Sequence, residues 1–232
     1  MRRHLARRAS LLCYSGACCL GAVATLQGQT GASASREATP PWRVGVFVGL
    51  AQHSPVGTHW GITPDRNHFM VGLHASTTIL ALGPLRVAYA PEFLPIVRVS
   101  NNPTYHAIER TVGGRLESLQ VEDGRAPVFG VALAPLGLEA DLAPSSRVQL
   151  FSSGGVGGIW FTREVPVVGS RAFNYTFDFG GGTLLRLRSD RWLVLGYKFH
   201  HLSNVYTALK NPGLDANLFY LGWQRRLGRG RP

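Results

Sequence analysis

Apolar residues recur at every second position along several stretches of the chain. In residues 42–50, alternate positions hold large apolar side chains, namely Trp42, Val44, Val46, Val48 and Leu50. The positions between them hold two glycines, an arginine and a phenylalanine. Successive side chains of a β-strand point to opposite faces, so a period of two predicts strands rather than helices.

Eight β-rich segments follow one another from residue 42 to residue 227. They are bounded by Gly, Pro, Asn, Asp or Ser, and they span residues 42–54, 67–82, 85–100, 126–142, 147–165, 173–189, 191–203 and 215–227. No stretch of these residues keeps a helical apolar period or is apolar enough to cross a membrane as a helix. The chain is therefore predicted to be all-β.

The connections between these segments alternate in length. Tight turns are predicted at 83–84, 143–146 and 189–191, and longer loops at 55–66, 102–125, 166–171 and 205–213. An even number of strands, with short turns at one end and long loops at the other, is typical of outer-membrane barrels. We therefore predict an eight-stranded antiparallel transmembrane β-barrel of the bacterial outer membrane, with both chain ends on the periplasmic, short-turn side.

Alternation alone does not say which face of such a barrel is inside. A soluble exported carrier of the lipocalin type would bury the apolar face around a ligand. The alternating connections favour the membrane version. Aromatic residues near the strand ends favour it too, namely Trp42, Trp160, Phe161, Tyr220 and Trp223.

The first residues have the pattern of an export signal. A basic start, MRRHLARR, precedes an apolar stretch and the small residues GASAS. We predict a removed signal peptide over residues 1–34, a short linker over 35–41, the barrel over 42–227 and a basic tail over 228–232. Cys13, Cys18 and Cys19 all lie within the signal, so the mature chain would contain neither a disulfide nor a cysteine nucleophile.

Basic residues outnumber acidic ones, and the chain carries a formal charge of +11. Residues 1–36 hold five of the 24 basic residues and no acidic one, which leaves 19 basic against 13 acidic residues after them. A basic chain is typical of nucleic-acid binding, but the expected partner of an exported protein is anionic membrane lipid. We expect outer-membrane lipid as a partner and no nucleic acid.

Three polar side chains near the end of the chain have the composition of a hydrolase triad. His201 and Ser203 are two positions apart on one predicted strand, so they share a face with the apolar residues before them. Asp215 also falls on the apolar face of the last strand. An unpaired buried polar group costs about 2–7 kcal/mol, which mutual hydrogen bonding would offset, and acyl transfer uses the same arrangement. The alternative is the polar rim of a hairpin in a structural or adhesive barrel without catalytic activity.

The motifs HLSN (residues 201–204) and NPGLD (residues 211–215) resemble the signature of the lipid A 3-O-deacylase (PagL-type) family. That family has H-x-S-N on its penultimate strand and N-P-G-x-acid at the start of its last strand, and the resemblance is close over residues 196–223. It implies an eight-stranded barrel with an active site on its outer, lipid-facing surface. The implied reaction is hydrolysis of the ester-linked acyl chain at the 3-position of lipid A, with lipopolysaccharide as the substrate.

The resemblance assigns Ser203 as the nucleophile, His201 as the general base, Asp215 as the orienting acid and Asn204 as an oxyanion donor. Asp215 departs from the family members, which carry glutamate at this position. His200 has the opposite parity, so it is predicted to face the lumen. No cofactor and no metal are expected, and a homodimer is an assembly state that the sequence leaves open.

Overall fold

The structure is a computed structural model that describes residues 41–55, 58, 60–142, 144 and 146–228. The predicted signal peptide, the linker up to residue 40 and residues 229–232 of the predicted basic tail lie outside the described residues. The domain boundaries assigned to those segments therefore stay predictions.

Nine antiparallel strands make up the described chain: β1 (Arg43–Ala51), β2 (His68–Leu82), β3 (Leu85–Tyr89), β4 (Glu92–Val112), β5 (Arg115–Leu142), β6 (Val148–Val165), β7 (Arg171–Arg188), β8 (Arg191–Ser203) and β9 (Leu214–Arg226). Strand β1 pairs with both β2 and β9, so the sheet closes on itself. Strands β3 and β4 share one position in the ring, because both pair with β2 on one side and β5 on the other. The predicted eight-stranded barrel is confirmed. No helix among the described residues is long and apolar enough to cross a membrane.

The third predicted strand, residues 85–100, is interrupted at Ala90 and Pro91. Proline has no backbone N–H to donate to a neighbouring strand, so the ladder breaks there. The two interrupting residues still form hydrogen bonds with the neighbouring strands, since Ala90 N donates to Gly137 O at 2.8 Å and Ala75 N donates to Pro91 O at 3.2 Å. The eight predicted segments therefore become nine strands in eight positions.

The prediction of a loop at 102–125 was wrong. Strand β4 continues to Val112 and β5 begins at Arg115, so these residues form a long antiparallel hairpin. Its turn is made by Gly113 and Gly114, with φ of 59° and 81°, a conformation that favours glycine. The side chains of the hairpin are exposed on both faces over most of its length, so no apolar period marked these residues as strand.

The apolar face of the barrel lies outside. In β1, Val46, Val48 and Leu50 are exposed, whereas Phe47 is buried in the lumen. The same division runs through β8, where Leu195 is exposed and Val194 is buried. This arrangement overturns the lipocalin-type alternative, which needs the apolar face inward. Two of the aromatic residues taken as strand-end markers were misassigned, because Phe161 and Tyr220 pack against the buried core.

The lumen is filled by side chains, many of them charged and paired. Lys198 Nζ lies 2.6 Å from Glu92 Oε2 and 3.1 Å from Asp178 Oδ1. Nearer the short turns, Arg43 contacts the buried Glu139 and lies 3.1 Å from Asp141 Oδ2. Buried charges are tolerated when they are paired in this way, and removing one partner is strongly destabilising. The described interior is thus packed with apolar side chains and paired charges, and it is not a ligand cavity.

The described chain enters and leaves the barrel at the end that carries the short turns. Leu227 N donates to Trp42 O at 2.7 Å, and Arg226 N donates to Asp190 O, in the β7–β8 turn, at 2.8 Å. The longer β1–β2, β6–β7 and β8–β9 loops and the β4–β5 hairpin lie at the opposite end. The predicted separation of short turns from long loops is therefore observed.

Candidate active site

His201 and Asp215 form a hydrogen-bonded pair on neighbouring strands. They are direct partners in the register of β8 and β9, which places both side chains on the same face of the barrel wall. His201 Nδ1 lies 2.6 Å from Asp215 Oδ1. His201 is buried, and Asp215 is 0% exposed. The aspartate therefore reaches the imidazole although its side chain is one methylene shorter than glutamate.

Ser203 is the last residue of β8 and lies two positions beyond His201 on the same outer face. The residue is half-buried. Among the described residues, no hydrogen bond joins Ser203 to the His201 ring. The structure thus brings together the predicted base and the predicted acid, and it places the serine on the same face without a bond to the histidine.

Asn204 holds the β8–β9 loop in shape. Its Nδ2 donates to Lys210 O at 2.7 Å, and its backbone N donates to Asn211 Oδ1 at 2.9 Å. Its carbonyl accepts hydrogen bonds from the backbone N and Oγ1 of Thr207 at 3.1 and 2.7 Å. Hydrogen bonds of Asn204 therefore tie together the two ends of the loop that joins β8 to β9.

The β1–β2 loop is attached to the β8–β9 loop directly beside Asp215. Ile62 N donates to Pro212 O at 2.9 Å, and Thr63 Oγ1 donates to Gly213 O at 2.6 Å. A Cβ at Gly61 would lie 2.7–2.8 Å from the carboxylate atoms of Asp215, so only glycine allows this approach. The two loops together seal the acid from solvent.

Thr58 supplies a second partner to the acid. Its hydroxyl contacts Asp215 Oδ2, and its oxygen also accepts hydrogen bonds from the backbone N of Gly61 at 2.9 Å and of Trp60 at 3.2 Å. A threonine hydroxyl has one proton and two lone pairs. The Gly61 carbonyl also lies within reach of the hydroxyl, at 3.0 Å, but a carboxylate is the stronger acceptor. We therefore assign the proton to the carboxylate and the lone pairs to the two amides, which leaves each oxygen of Asp215 with one donor.

Aromatic rings cover the outer wall next to His201. The Trp60 ring centroid lies 5.1 Å from Phe177, 5.5 Å from Phe199 and 6.5 Å from His201. Phe177 and Phe179 are stacked at 6.0 Å. Trp60 remains 52% exposed, so an apolar surface open to the surroundings adjoins the imidazole.

Comparison with known proteins identifies the family of the chain. The family model for lipid A 3-O-deacylase (PagL) matches residues 87–224. The chain belongs to the lipid A 3-O-deacylase family. The matched residues run from β3 into β9 and include His201, Ser203, Asn204 and Asp215. No match was found among curated proteins.

Solved structures similar to this member of the lipid A 3-O-deacylase family include outer-membrane proteins. The crystal structure of the outer membrane enzyme PagL aligns with a TM-score of 0.52 at 12% identity, over 78% of this chain and 98% of that one. Neisserial surface protein A aligns with a TM-score of 0.49 at 12% identity, over 80% and 97% of the two chains. OprG from Pseudomonas aeruginosa aligns with a TM-score of 0.45 at 8% identity, over 82% and 97%.

Family and fold together place this deacylase-family barrel in the bacterial outer membrane. The exposed apolar wall is therefore the lipid-facing surface, and His201, Ser203 and Asp215 lie on it rather than in the lumen. His200 points the other way, as predicted, with its Nδ1 3.7 Å from Asp178 Oδ2 inside the barrel.

Sequence reasoning missed the contribution of the β1–β2 loop to this deacylase-family site. Thr58 is 157 positions from Asp215 along the chain, and no spacing rule connects residues so far apart. Trp60 and Gly61 likewise belong to no local motif. Only the closure of the barrel, which makes β1 a neighbour of β9, brings this loop to the acid.

Proposed function

We propose that this protein is an outer-membrane serine esterase that hydrolyses the ester-linked acyl chain at the 3-position of lipid A. The observation that carries the proposal is the His201–Asp215 pair beside Ser203 on the lipid-facing wall of a lipid A 3-O-deacylase family member. A lipid substrate reaches this wall by lateral diffusion and does not have to leave the bilayer.

In the proposed mechanism, Asp215 orients the imidazole and stabilises its charged form. His201 donates its Nδ1–H to Asp215 Oδ1, so the lone pair on Nε2 faces the substrate side. Nε2 takes the proton of Ser203 as Oγ attacks the ester carbonyl carbon. The tetrahedral intermediate then collapses, and the 3-hydroxyl of lipid A leaves with the proton held by His201.

A second half-reaction releases the fatty acid from Ser203. Water loses a proton to His201 Nε2 and attacks the acyl-enzyme carbonyl, and the proton then returns to Ser203 Oγ. The contact between Ser203 and His201 forms in this scheme when substrate binds, because catalytic hydrogen bonds often tighten only in the substrate complex. Rotation of the serine side chain about χ1 is the movement required.

Asn204 is proposed as a donor to the oxyanion. One hydrogen of its Nδ2 is committed to Lys210 O, and the amide carries a second. A single oxyanion donor is worth about 3 kcal/mol. The same residue holds the β8–β9 loop, so its two roles are expected to show as a lower kcat and a lower unfolding temperature of an Asn204→Ala variant.

The aromatic surface beside His201 fits the acyl chain of such a substrate. The ring centroids of Trp60, Phe177 and Phe199 lie 5.1, 5.5 and 6.3 Å from one another. Burying a methylene group against an apolar surface contributes about 0.8 kcal/mol. The scissile ester would then lie at the edge of this surface, where His201 and Ser203 meet it.

The test is the mass of lipid A from cells that express the protein. We expect wild type to lower the mass by one acyl chain, and Ser203→Ala and His201→Ala to leave it at the value of an empty-vector strain. Ser152→Ala is the matched control, because Ser152 is likewise a serine on a strand, but it is exposed and lies on β6. Equal lipid A masses in all strains, with wild type folded in the membrane, would contradict the esterase proposal.

A further inference from the structure

Three arginines stand side by side on adjacent strands at the short-turn end of the barrel. Arg188 of β7 is the direct register partner of Arg191 of β8, and Arg191 is in turn the partner of Arg225 of β9. We call Arg188, Arg191 and Arg225 the arginine row. Directly opposed like charges destabilise a pair of strands, and arginine does not lose its charge.

A bulge in β7 brings the first of these residues into the row. The register of β7 against β8 shifts between Arg186 and Arg188, so one residue, Leu187, is left without a partner. Such a bulge turns the side chains after it to the other face of the sheet. Arg188 thereby lies on the outer face with Arg191 and Arg225, instead of facing the lumen with Arg186.

Among the described residues, a single carboxylate pairs with members of the row. Asp190 Oδ2 lies 3.2 Å from Arg225 Nε, and its Oδ1 lies 3.8 Å from Arg191 Nε. Arg188 has no ion pair or side-chain hydrogen bond with any described residue. The contrast with Arg43 is informative, because that lumenal arginine contacts both Glu139 and Asp141. The row therefore keeps an excess of two positive charges on the outer surface.

The row lies at the short-turn edge of the lipid-facing apolar wall. Leu193 and Leu195 follow Arg191 on the outer face of β8, and Trp223 and Leu221 precede Arg225 on that of β9. Leu187 beside the row is 59% exposed. Short turns of outer-membrane barrels face the periplasm, so the guanidinium groups lie at the depth of the headgroups of the periplasmic leaflet.

We propose that the arginine row binds the phosphate of an anionic phospholipid in the periplasmic leaflet of the outer membrane. The planar guanidinium suits bidentate contacts with a phosphate, and the leucines directly above suit the acyl chains. The adjoining apolar wall favours an intact lipid over a free phosphate ion. This proposal depends on the barrel and its orientation, and it is independent of the esterase activity.

The experiment measures which lipid stays bound. The wild-type barrel is reconstituted with equal amounts of phosphatidylglycerol and phosphatidylcholine, and retained lipids are counted by native mass spectrometry. Two net charges at a headgroup surface predict a preference for phosphatidylglycerol on the order of tenfold. A triple Arg188→Gln, Arg191→Gln, Arg225→Gln variant is expected to lose this preference.

The matched control removes the same charge from the opposite end of the barrel. Arg110, Arg115 and Arg125 are exposed on the β4–β5 hairpin, and changing all three to Gln is expected to leave the preference intact. In a further condition, soluble glycerophosphate is added in excess, which distinguishes binding of an intact lipid from binding of a free phosphate group. We expect glycerophosphate not to displace the lipid. Displacement by glycerophosphate would overturn the assignment to a lipid.

Folding of each variant is checked by its heat-dependent mobility on a denaturing gel. If the triple variant does not fold, Asp190→Asn replaces it, and removal of this single acid is expected to strengthen the preference of the folded barrel. Equal retention of the two lipids by wild type would overturn the proposal. The proposal would also be overturned if the folded triple variant kept the full preference for phosphatidylglycerol, or if Asp190→Asn left that preference unchanged.

Discussion

Replacing Thr58 by valine tests whether the β1–β2 loop takes part in catalysis. Valine keeps the shape and the γ-methyl group of threonine but removes the hydroxyl that contacts Asp215 Oδ2. His201 Nδ1 would still contact the other oxygen at 2.6 Å. The buried carboxylate would therefore keep one of its two donors, and its freedom to turn away from the imidazole would increase.

The expected magnitude follows from the burial of Asp215. A hydrogen bond to a charged group contributes about 1.5–3 kcal/mol, and Asp215 is 0% exposed, so water does not replace the lost donor. Each 1.4 kcal/mol lost from the transition state is about tenfold in rate. Loss of a triad aspartate costs about 10⁴ in kcat. Because the bond to His201 remains, we expect kcat of Thr58→Val to fall about tenfold, with KM nearly unchanged.

The assay measures hydrolysis of an acyl ester in detergent micelles at saturating mole fraction of substrate. Thr58→Ser is the paired variant, since serine keeps the hydroxyl and loses only the methyl group, and its kcat is expected to stay within about twofold of wild type. A Thr58→Val enzyme with wild-type kcat would refute the reasoning. So would a Thr58→Ser enzyme as slow as Thr58→Val, because the methyl group rather than the hydroxyl would then matter.

Three further predictions concern the acid, the aromatic surface and the lumen. Asp215→Glu should lower kcat at least tenfold, because the backbone of Gly61 occupies the space that the extra methylene needs; unchanged activity would show that the loop yields. Trp60→Ala should slow hydrolysis of long-chain esters more than of short-chain esters, whereas equal slowing would separate Trp60 from acyl-chain binding. Lys198→Met should lower the free energy of unfolding by about 3–5 kcal/mol, measured by urea titration, because it leaves Glu92 without its nearest cation.

The strands that cross the membrane could be predicted from sequence because each has one apolar and one small or polar face. In β1 the period of two separates Val46 and Val48 from Phe47, and the structure places them on opposite sides of the wall. The β4–β5 hairpin could not be predicted in this way. Its residues are solvated on both faces, so hydrogen bonding between the strands holds it without any apolar alternation.

The residues of the site likewise divide into those that the sequence could predict and those that it could not. His201 and Asp215 were predictable because short motifs on consecutive strands meet through hairpin register. Thr58 and Gly61 were not, because their contact with Asp215 arises only when the first strand closes against the last. Ring closure is a property of the whole sheet and leaves no trace in the residues around Thr58.

The outward position of His201 and Ser203 has a kinetic consequence for an esterase of this kind. Enzyme and substrate share a two-dimensional phase, so the rate follows the mole fraction of substrate in the surface and not its concentration in the bulk volume. Diluting the suspension should leave turnover unchanged, whereas inert lipid added to the same surface should slow it. In the proposed reaction the deacylated lipid and the released fatty acid would also stay in that surface, where they would compete with substrate for the aromatic rings around Trp60.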